Sequence, residues 1–99
     1  MPRVVLVGPM GAGKSTVGDL LAERWGTVAR DTDADVEALD GRSISDIFVE
    51  SGETHFRDLE RTAVAEALAT HDGVLALGGG AVLDPGTREL LAGQTVVFL

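Results

Sequence analysis

Three things are scarce in this sequence: cysteine, positive charge and long apolar runs. With no cysteine among 99 residues, neither a disulfide framework nor a thiolate metal site can form. Eight basic residues against 16 acidic ones leave a formal charge of -8, which repels nucleic acid backbones and anionic membranes. No apolar run approaches the roughly 20 residues that cross a bilayer, and the first run is too short for a signal peptide. We therefore expect a cytoplasmic protein without nucleic-acid or membrane partners.

Strand-like and helix-like stretches alternate along the chain. Short apolar runs predict strands, whereas apolar residues three and four apart predict helices. The predicted strands are 4–7, 27–31, 73–77 and 95–99, and the predicted helices are 14–25, 33–40, 43–50, 57–70 and 85–93. Such alternation is typical of an α/β fold in which helices cover both faces of a parallel sheet. With no repeat, low-complexity tract or linker, we expect a single domain over residues 1–99.

Two of the predicted helices have apolar stripes that indicate their buried faces. The stripe of the first helix ends at Trp25, which we expect to pack in the core. Gly52 is expected to interrupt the helical run that starts at Ser43, a residue typical of a helix N-cap. After that interruption the predicted buried stripe is Leu59, Ala63, Val64, Ala67 and Leu68.

The stretch after the first strand, residues 8–15, reads GPMGAGKS and fits the P-loop pattern G-x-x-x-x-G-K-[ST]. Its small residues let backbone N–H groups surround phosphate oxygens, and the following helix points its positive end at them. Lys14 supplies a cation for the phosphates, and the Ser15 hydroxyl can ligate Mg²⁺. A glycine-rich turn would explain one or two glycines, but not Lys14 and Ser15 at this offset. The pattern predicts a nucleoside triphosphate site.

Asp31, Thr32 and Asp33 follow the second strand, at the sheet edge where open parallel sheets bind their ligands. One carboxylate there can reach Mg²⁺ through water, while the other acts on a substrate hydroxyl as base or orienter. The structural alternative is a pair of acids that favour the positive end of the next helix. The residues alone leave both explanations open.

Two further stretches also have a structural and a functional explanation. Arg57 and Glu60 lie three apart on one helical face, which suits either an exposed ion pair or a binding site for an anion. Gly78, Gly79 and Gly80 end the third strand, either because the loop must turn tightly or because the backbone approaches a ligand closely.

His55 and His71 have no partner cluster, so we expect no histidine metal site.

Together these stretches resemble the shikimate kinase family. The family pattern G-x-M-G-[AS]-G-K-[ST], D-[ST]-D, S-I-x-x-I-F-x-x-x-G-E-x-x-F-R-x-x-E and G-G-G is matched in order by GPMGAGKST, DTD, SISDIFVESGETHFRDLE and GGG. The third match is much more specific than a P-loop, and the resemblance covers essentially the whole chain. It implies a three-layer α/β/α P-loop kinase fold with a parallel sheet of order 2-3-1-4-5. It also implies ATP-dependent phosphorylation of the shikimate 3-hydroxyl, on the way to chorismate and the aromatic amino acids.

The resemblance also implies roles for individual residues. The implied nucleotide-binding residues are Gly11, Ala12, Gly13, Lys14, Ser15 and Thr16, and the implied shikimate-binding residues are Asp33, Phe48, Phe56, Arg57, Glu60, Gly79 and Gly80. Asp33 and Lys14 are the implied catalytic residues, with Asp33 as the base. Ser15 and, through water, Asp31 are implied to hold Mg²⁺. Arg57, oriented by Glu60, is implied to bind the shikimate carboxylate, for which a planar guanidinium is well suited.

The family continues beyond the residues of this sequence. It adds a lid with a catalytic arginine, a further arginine for shikimate, a fifth strand and an adenine-binding loop. The resemblance therefore implies the N-terminal part of a kinase domain whose full-length form is a monomer. For the 99 residues alone we expect little turnover, and self-association through the exposed strand 95–99. The competing functions are another small-molecule P-loop kinase, for gluconate or a nucleoside monophosphate, and a non-catalytic nucleotide-binding fragment.

Overall fold

The computed structural model describes residues 1–99 and contains one parallel sheet of four strands. The strands are β1 (Val4–Val7), β2 (Ala29–Asp31), β3 (Val74–Ala76) and β4 (Val96–Phe98), in the order β2-β3-β1-β4. The helices are α1 (Lys14–Trp25), α2 (Thr32–Asp40), α3 (Ile44–Thr70) and α4 (Pro85–Leu90), with one 3₁₀ turn at Ala81–Leu83. All three strand pairs are parallel. The predicted α/β class and the order of the four strands are confirmed.

The two central strands, β1 and β3, are buried on both faces. One face contributes Val5, Val7, Leu75 and Leu77, which pack with Val64 and Ala67 of α3 and with Ala81. The other face contributes Val4, Leu6, Val74 and Ala76, which pack with Ala22 of α1. Burial on both faces explains why these strands are continuous apolar runs without polar alternation. The sheet is therefore the middle of three layers.

Helix α1 fully buries only small residues, whereas Val17 and Leu21 pack against the core while partly buried and Leu20 is exposed. Gly18 and Ala22 are its buried residues, and a Cβ built on Gly18 would lie 3.5 Å from Leu6 Cδ1. The helix therefore lies close to the sheet along a line of small residues. Trp25 is displaced to the side, where it is 36% exposed, with the Arg3 guanidinium 4.4 Å from its ring centroid. The prediction that Trp25 packs in the core was wrong.

Helix α3 is a single long run with a kink at Gly52. Its N-cap Ser43 accepts a hydrogen bond from the Asp46 N–H, and Gly52 has φ 84° and ψ 173°, which is not helical. The interruption was predicted correctly, but the second half starts directly after Gly52 rather than at 57. The sequence pattern missed this start because Phe56 is the only buried residue between 53 and 56. Of the predicted stripe, Ala63, Val64 and Ala67 are buried, and Leu59 and Leu68 are partly buried.

Smaller differences lie at the ends of other elements. Strand β2 begins at Ala29 rather than at 27, and α4 ends at Leu90 rather than at 93. The 3₁₀ turn after β3 was not predicted. Asp84 caps α4 as expected, since its side chain accepts a hydrogen bond from the Thr87 N–H at 2.9 Å. None of the helices combines the length and the apolar composition that a membrane span requires.

Candidate active site

Three chain segments meet where β1, β2 and β3 end. The P-loop follows β1, residues 31–33 lie at the end of β2 and the start of α2, and the glycines 78–80 follow β3. Two adjoining cavities lie among them. One, of about 330 Å³, is lined by P-loop residues and is called the P-loop cavity below. The other, of about 310 Å³, contains Arg57 in its wall and is called the arginine cavity.

The P-loop uses its glycines for backbone conformation. Gly11 and Gly13 have φ of +83° and +91°, and a Cβ on either would meet no atom within 4 Å. Their left-handed conformation, rather than crowding, therefore accounts for the glycines. Lys14 lies at the start of α1, and its Nζ donates hydrogen bonds to the carbonyls of Gly8 at 2.5 Å and Pro9 at 3.0 Å. The ammonium group is thus held against the loop that it borders.

Asp31 has a capping role and also lies in the wall of the P-loop cavity. Its Oδ1 accepts a hydrogen bond from the Asp33 N–H at 2.9 Å, which makes it the N-cap of α2. Asp31 lines the cavity together with Lys14, Ser15 and Thr16. The helix-terminus explanation therefore holds for Asp31, and its place in the cavity wall is compatible with the ligand explanation. Carboxylate and hydroxyl oxygens are the ligands that Mg²⁺ prefers, and this ion usually takes only one or two from the protein. Asp31 and Ser15 fit that requirement.

The arginine cavity is built on both halves of α3. Its wall contains Ile44 and Phe48 from before the kink and Phe56, Arg57 and Glu60 from after it. The Phe48 and Phe56 ring centroids are 4.6 Å apart. The Arg57 guanidinium carbon lies 5.2 Å from the Phe56 ring centroid, within the range of a cation–π contact. The cavity therefore combines aromatic surface with one positive group.

Arg57 and Glu60 form a buried ion pair. Arg57 Nη1 donates to Glu60 Oε1 at 2.8 Å, and the side chains are 17% and 1% exposed. The explanation as an exposed surface pair is therefore wrong. Burial raises the pKa of Glu60, and Arg57 lowers it by less. Glu60 Oε2 has no hydrogen-bond partner.

Asp33 stands where the two cavities meet. It lines both of them, together with Met10, Gly78 and Gly79. Burial, followed by the negative charge of Asp31, raises the pKa of the Asp33 carboxyl, while Lys14 and Arg57 lower it. A carboxylate with a raised pKa between an anion site and a second pocket is suited to accept a proton there.

The structure brings nearly all the predicted site residues to these two cavities. Ala12 is the exception, because it lines neither one, although its N–H donates to the Pro9 carbonyl at 3.1 Å. Residues missed from the sequence are Pro9, Met10, Ile44 and Leu77, while Gly78 was singled out but given no role. Ile44 was detectable, because it lies four residues before Phe48 and so shares its helical face.

The two histidines lie outside both cavities. His55 Nε2 is 3.6 Å from Asp40 Oδ2. His71 Nε2 lies 3.1 Å from the Val28 carbonyl and 3.0 Å from the Val74 carbonyl. His55, within α3, therefore lies beside the last residue of α2, and His71, after α3, lies beside two backbone carbonyls.

Comparison with known proteins agrees with this geometry. The sequence profile of the family Shikimate kinase matches residues 10–99. A shikimate kinase of Streptomyces coelicolor is 66% identical over 98 residues, which are 99% of this chain and 57% of that protein. The structure of shikimate kinase from Acinetobacter baumannii in complex with shikimate has a TM-score of 0.93 at 43% identity, covering 100% of this chain and 56% of that one. The chain thus spans about half the length of the relatives it matches.

A gluconokinase from Sinorhizobium meliloti is a more distant structural neighbour. It has a TM-score of 0.54 at 23% identity, which shows a likeness of fold alone. The family profile covers nine-tenths of the chain, and the P-loop, the buried Arg57–Glu60 pair and the glycines 78–80 occupy one site. The chain belongs to the shikimate kinase family.

Proposed function

We propose that this chain forms the part of a shikimate kinase that binds the ATP phosphates and shikimate and transfers the γ-phosphoryl group to the shikimate 3-hydroxyl. The observation that carries the proposal is the position of Asp33, between a cavity lined by the P-loop and a cavity lined by a partly buried arginine. A phosphoryl donor in the first and a hydroxyl acceptor in the second would meet beside this carboxylate. The reaction belongs to the route to chorismate and the aromatic amino acids.

The arginine cavity suits the chemistry of shikimate, which carries one carboxylate and three hydroxyls on a ring. Arg57 offers a planar fork that matches a carboxylate with two hydrogen bonds. Phe48 and Phe56 provide apolar walls for the ring, and the backbone of Gly79 and Gly80 borders the same space. The related enzyme from Acinetobacter baumannii, solved in complex with shikimate, supports this choice of substrate.

In the proposed reaction, the shikimate 3-hydroxyl oxygen attacks the γ-phosphorus of ATP while the bond from that phosphorus to the ADP oxygen breaks. Asp33 accepts the hydroxyl proton, and its raised pKa favours that role. Lys14 leaves the carbonyls of Gly8 and Pro9 and neutralises charge on the phosphates. Backbone N–H groups of residues 11–16 surround the phosphate oxygens. Ser15 and Asp31 would hold Mg²⁺, which adds charge neutralisation at the β- and γ-phosphates when bound.

The same proposal gives the chain its context. The 99 residues form the N-terminal part of a single kinase domain that works in the cytoplasm with ATP, Mg²⁺ and shikimate.

A binding experiment distinguishes shikimate from the competing substrates. Calorimetric titration of the chain with shikimate, gluconate and AMP should give saturable heat with shikimate alone. Binding of gluconate or AMP with greater affinity than shikimate would overturn the proposal.

A further inference from the structure

The glycines at 78–80 are not explained by backbone conformation. The glycines with positive φ in this chain are Gly8, Gly11, Gly13, Gly26, Gly41, Gly52 and Gly93, and none of residues 78–80 is among them. Gly80, for example, has φ −103° and ψ 5°, which an alanine adopts without strain. The loop does turn tightly, since the Ala81 N–H donates to the Gly78 carbonyl at 3.1 Å, but a turn without positive φ does not by itself require glycine. What remains is the space around each missing side chain.

Gly78 is in contact with the two acids of the site. A Cβ built on it would lie closer to Asp33 Oδ1 than the 3.0 Å that real Cβ atoms essentially never undercut. It would also lie 3.2 Å from Asp33 Cγ and 3.1 Å from Glu60 Oε2. Gly78 itself is buried. A side chain at this position would occupy the space of the Asp33 carboxylate.

Gly80 is in contact with the arginine. Its Cβ would lie 2.5 Å from Arg57 Nη2 and 3.3 Å from both Cζ and Nη1. Gly79, between them, faces the P-loop backbone, since its Cβ would lie 3.0 Å from the Met10 nitrogen and 3.6 Å from the Pro9 carbonyl carbon. Three successive residues therefore border three different parts of the site: the acid, the nucleotide loop and the guanidinium.

We propose that residues 78–80 act as three separate spacers, in which Gly78 sets the position of the Asp33 carboxylate, Gly79 that of the P-loop and Gly80 that of the Arg57 guanidinium. The inference rests on the proposed function and adds positioning residues to it. Substitution at each spacer impairs a different subsite. The hydroxyl subsite depends on Gly78, the nucleotide on Gly79 and the substrate carboxylate on Gly80.

Whether a substitution impairs mainly the site or mainly the stability of the fold depends on which neighbouring atoms must move. At Gly78 and Gly80 it is the charged end of a flexible side chain, which can swing away while the backbone stays in place. A methyl group there therefore changes the site more than the fold. At Gly79 the neighbour is backbone, which must shift by a few tenths of an ångström. Replacing a glycine that has ordinary φ by alanine also lowers the entropy of the unfolded chain, which offsets part of any loss of stability.

Gly86 provides a matched control outside both cavities. Its Cβ would lie 2.6 Å from Arg61 Cδ and 3.1 Å from Asp84 Oδ2, so that it too crowds an arginine and an acid. Arg61 and Asp84 are paired at 2.7 Å and belong to neither cavity. Gly86→Ala therefore imposes a similar steric change without touching the site.

The test compares Gly78→Ala, Gly79→Ala, Gly80→Ala and Gly86→Ala in the 99-residue chain by calorimetry with shikimate, methyl shikimate and a non-hydrolysable ATP analogue. Gly80→Ala should weaken shikimate by about tenfold or more, the loss expected for one hydrogen bond to a charged group. It should leave the uncharged ester and the nucleotide unchanged. Gly78→Ala should weaken shikimate and its ester equally, Gly79→Ala should weaken the nucleotide, and Gly86→Ala should change none of them. Equal losses for all ligands in the three site variants, or no loss in any, would overturn the proposal.

A second readout needs no ligand and separates this inference from the proposed substrate. The side-chain NMR signals of Arg57 Nε and Asp33 Cγ report the two groups directly. Gly80→Ala should shift the Arg57 signal more than that of Asp33, and Gly78→Ala should shift the Asp33 signal more than that of Arg57, which Gly78 reaches only through Glu60. If the wild-type chain binds no shikimate but these shifts appear, the spacers stand and the substrate assignment fails. If neither signal responds, the spacer proposal is wrong whatever the chain binds.

Discussion

Glu60 Oε1 accepts a hydrogen bond at 2.8 Å from Arg57 Nη1, one helical turn earlier on α3, in a place where Glu60 is only 1% exposed. The other oxygen, Oε2, has no partner. Burial raises the pKa of Glu60 above its ordinary value of 4.5, and the favourable charge of Arg57 offsets only part of that effect. Glu60, which holds the arginine that we propose to bind a substrate carboxylate, therefore also makes the stability of the fold depend on pH.

Glu60 should make the chain less stable as the pH rises. Because its folded-state pKa is raised, the native state binds more protons than the unfolded state above 4.5. Its contribution is full below that value and is lost as the pH rises through the folded-state pKa. Relative to Glu60→Gln, the wild-type free energy of unfolding should fall as the pH rises from 4.5 through the folded-state pKa, as measured by urea unfolding. A constant difference between the two proteins would contradict the raised pKa.

Asp40→Asn is the control for that experiment, because its pH dependence has the opposite sign. The Arg42 guanidinium beside Asp40 lowers the pKa of that carboxyl below its ordinary value of 3.8. Its contribution to stability is therefore present above 3.8 and is lost as the pH falls through the folded-state pKa. Asp40→Asn, which also removes the contact with His55 at 3.6 Å, should differ from the wild type in pH dependence mainly at the acid end.

The kink of α3 should depend on a glycine at position 52. The conformation of Gly52, φ 84° and ψ 173°, is one that other residues rarely adopt. Its Cβ would meet nothing within 4 Å, so the cost of a substitution comes from the backbone alone. Gly52→Ala should lower the free energy of unfolding by about 1–3 kcal/mol. The control is Thr54→Ala, at an exposed position on the same helix. An equal loss of unfolding free energy in both variants would show that the kink imposes no strain.

The sequence patterns were most reliable where a residue type has a single physical use. The order GKS after an apolar run predicts a P-loop, because no other arrangement needs a lysine at that offset. Gly52 was recognised as a break because a glycine within a helical run is an unfavourable helix residue. Trp25 failed because apolar periodicity does not show how close a helix lies to a sheet. That distance is set by Gly18 and Ala22, whose small size contributes little to a hydrophobic pattern.

The explanation for residues 78–80 could not be reached from the sequence. A run of glycines is compatible both with an unusual backbone conformation and with neighbouring atoms that leave no room for a side chain. Only the folded structure distinguishes these two explanations. Likewise, the spacing of Arg57 and Glu60 is the same for an exposed and a buried pair. The pair is enclosed by residues such as Gly78 and Gly80, which border Glu60 and Arg57 and lie about 20 residues further along the chain.

Asp33 should be needed for phosphoryl transfer and not for ATP binding. In a chain extended to the full length of the family, Asp33→Asn should lower turnover by about 10²–10⁴-fold, the usual contribution of a general base. ATP affinity should barely change, because Lys14 and the P-loop backbone remain. A coupled assay for ADP measures the first effect and calorimetry the second. The control is Asp35→Asn, which breaks an ion pair with Arg30 outside both cavities. Unchanged turnover in Asp33→Asn would exclude the proposed role.

Strand β4 should make the 99-residue chain self-associate in isolation. It pairs with β1 alone, and Val97 and Phe98 are 40% and 72% exposed. An apolar edge strand is a template for a second chain. Light scattering after size exclusion should show dimers or larger species, and Val97→Lys should shift them toward the monomer. The control, Leu83→Lys, lies at an exposed position away from the strand and should leave the self-association unchanged. A wild-type chain that stays monomeric at high concentration would contradict the expectation.

The central claim is that Arg57 receives the carboxylate of shikimate, and calorimetric titration of Arg57 variants tests it most directly. Loss of one partner of a buried charge pair typically costs about 2–5 kcal/mol, so Arg57→Ala should bind shikimate far more weakly than the wild type. Arg57→Lys should recover only part of that affinity, because an ammonium group lacks the planar fork. Methyl shikimate should bind the wild type weakly and lose little in Arg57→Ala. Equal shikimate affinity in the wild type and Arg57→Ala would contradict the account.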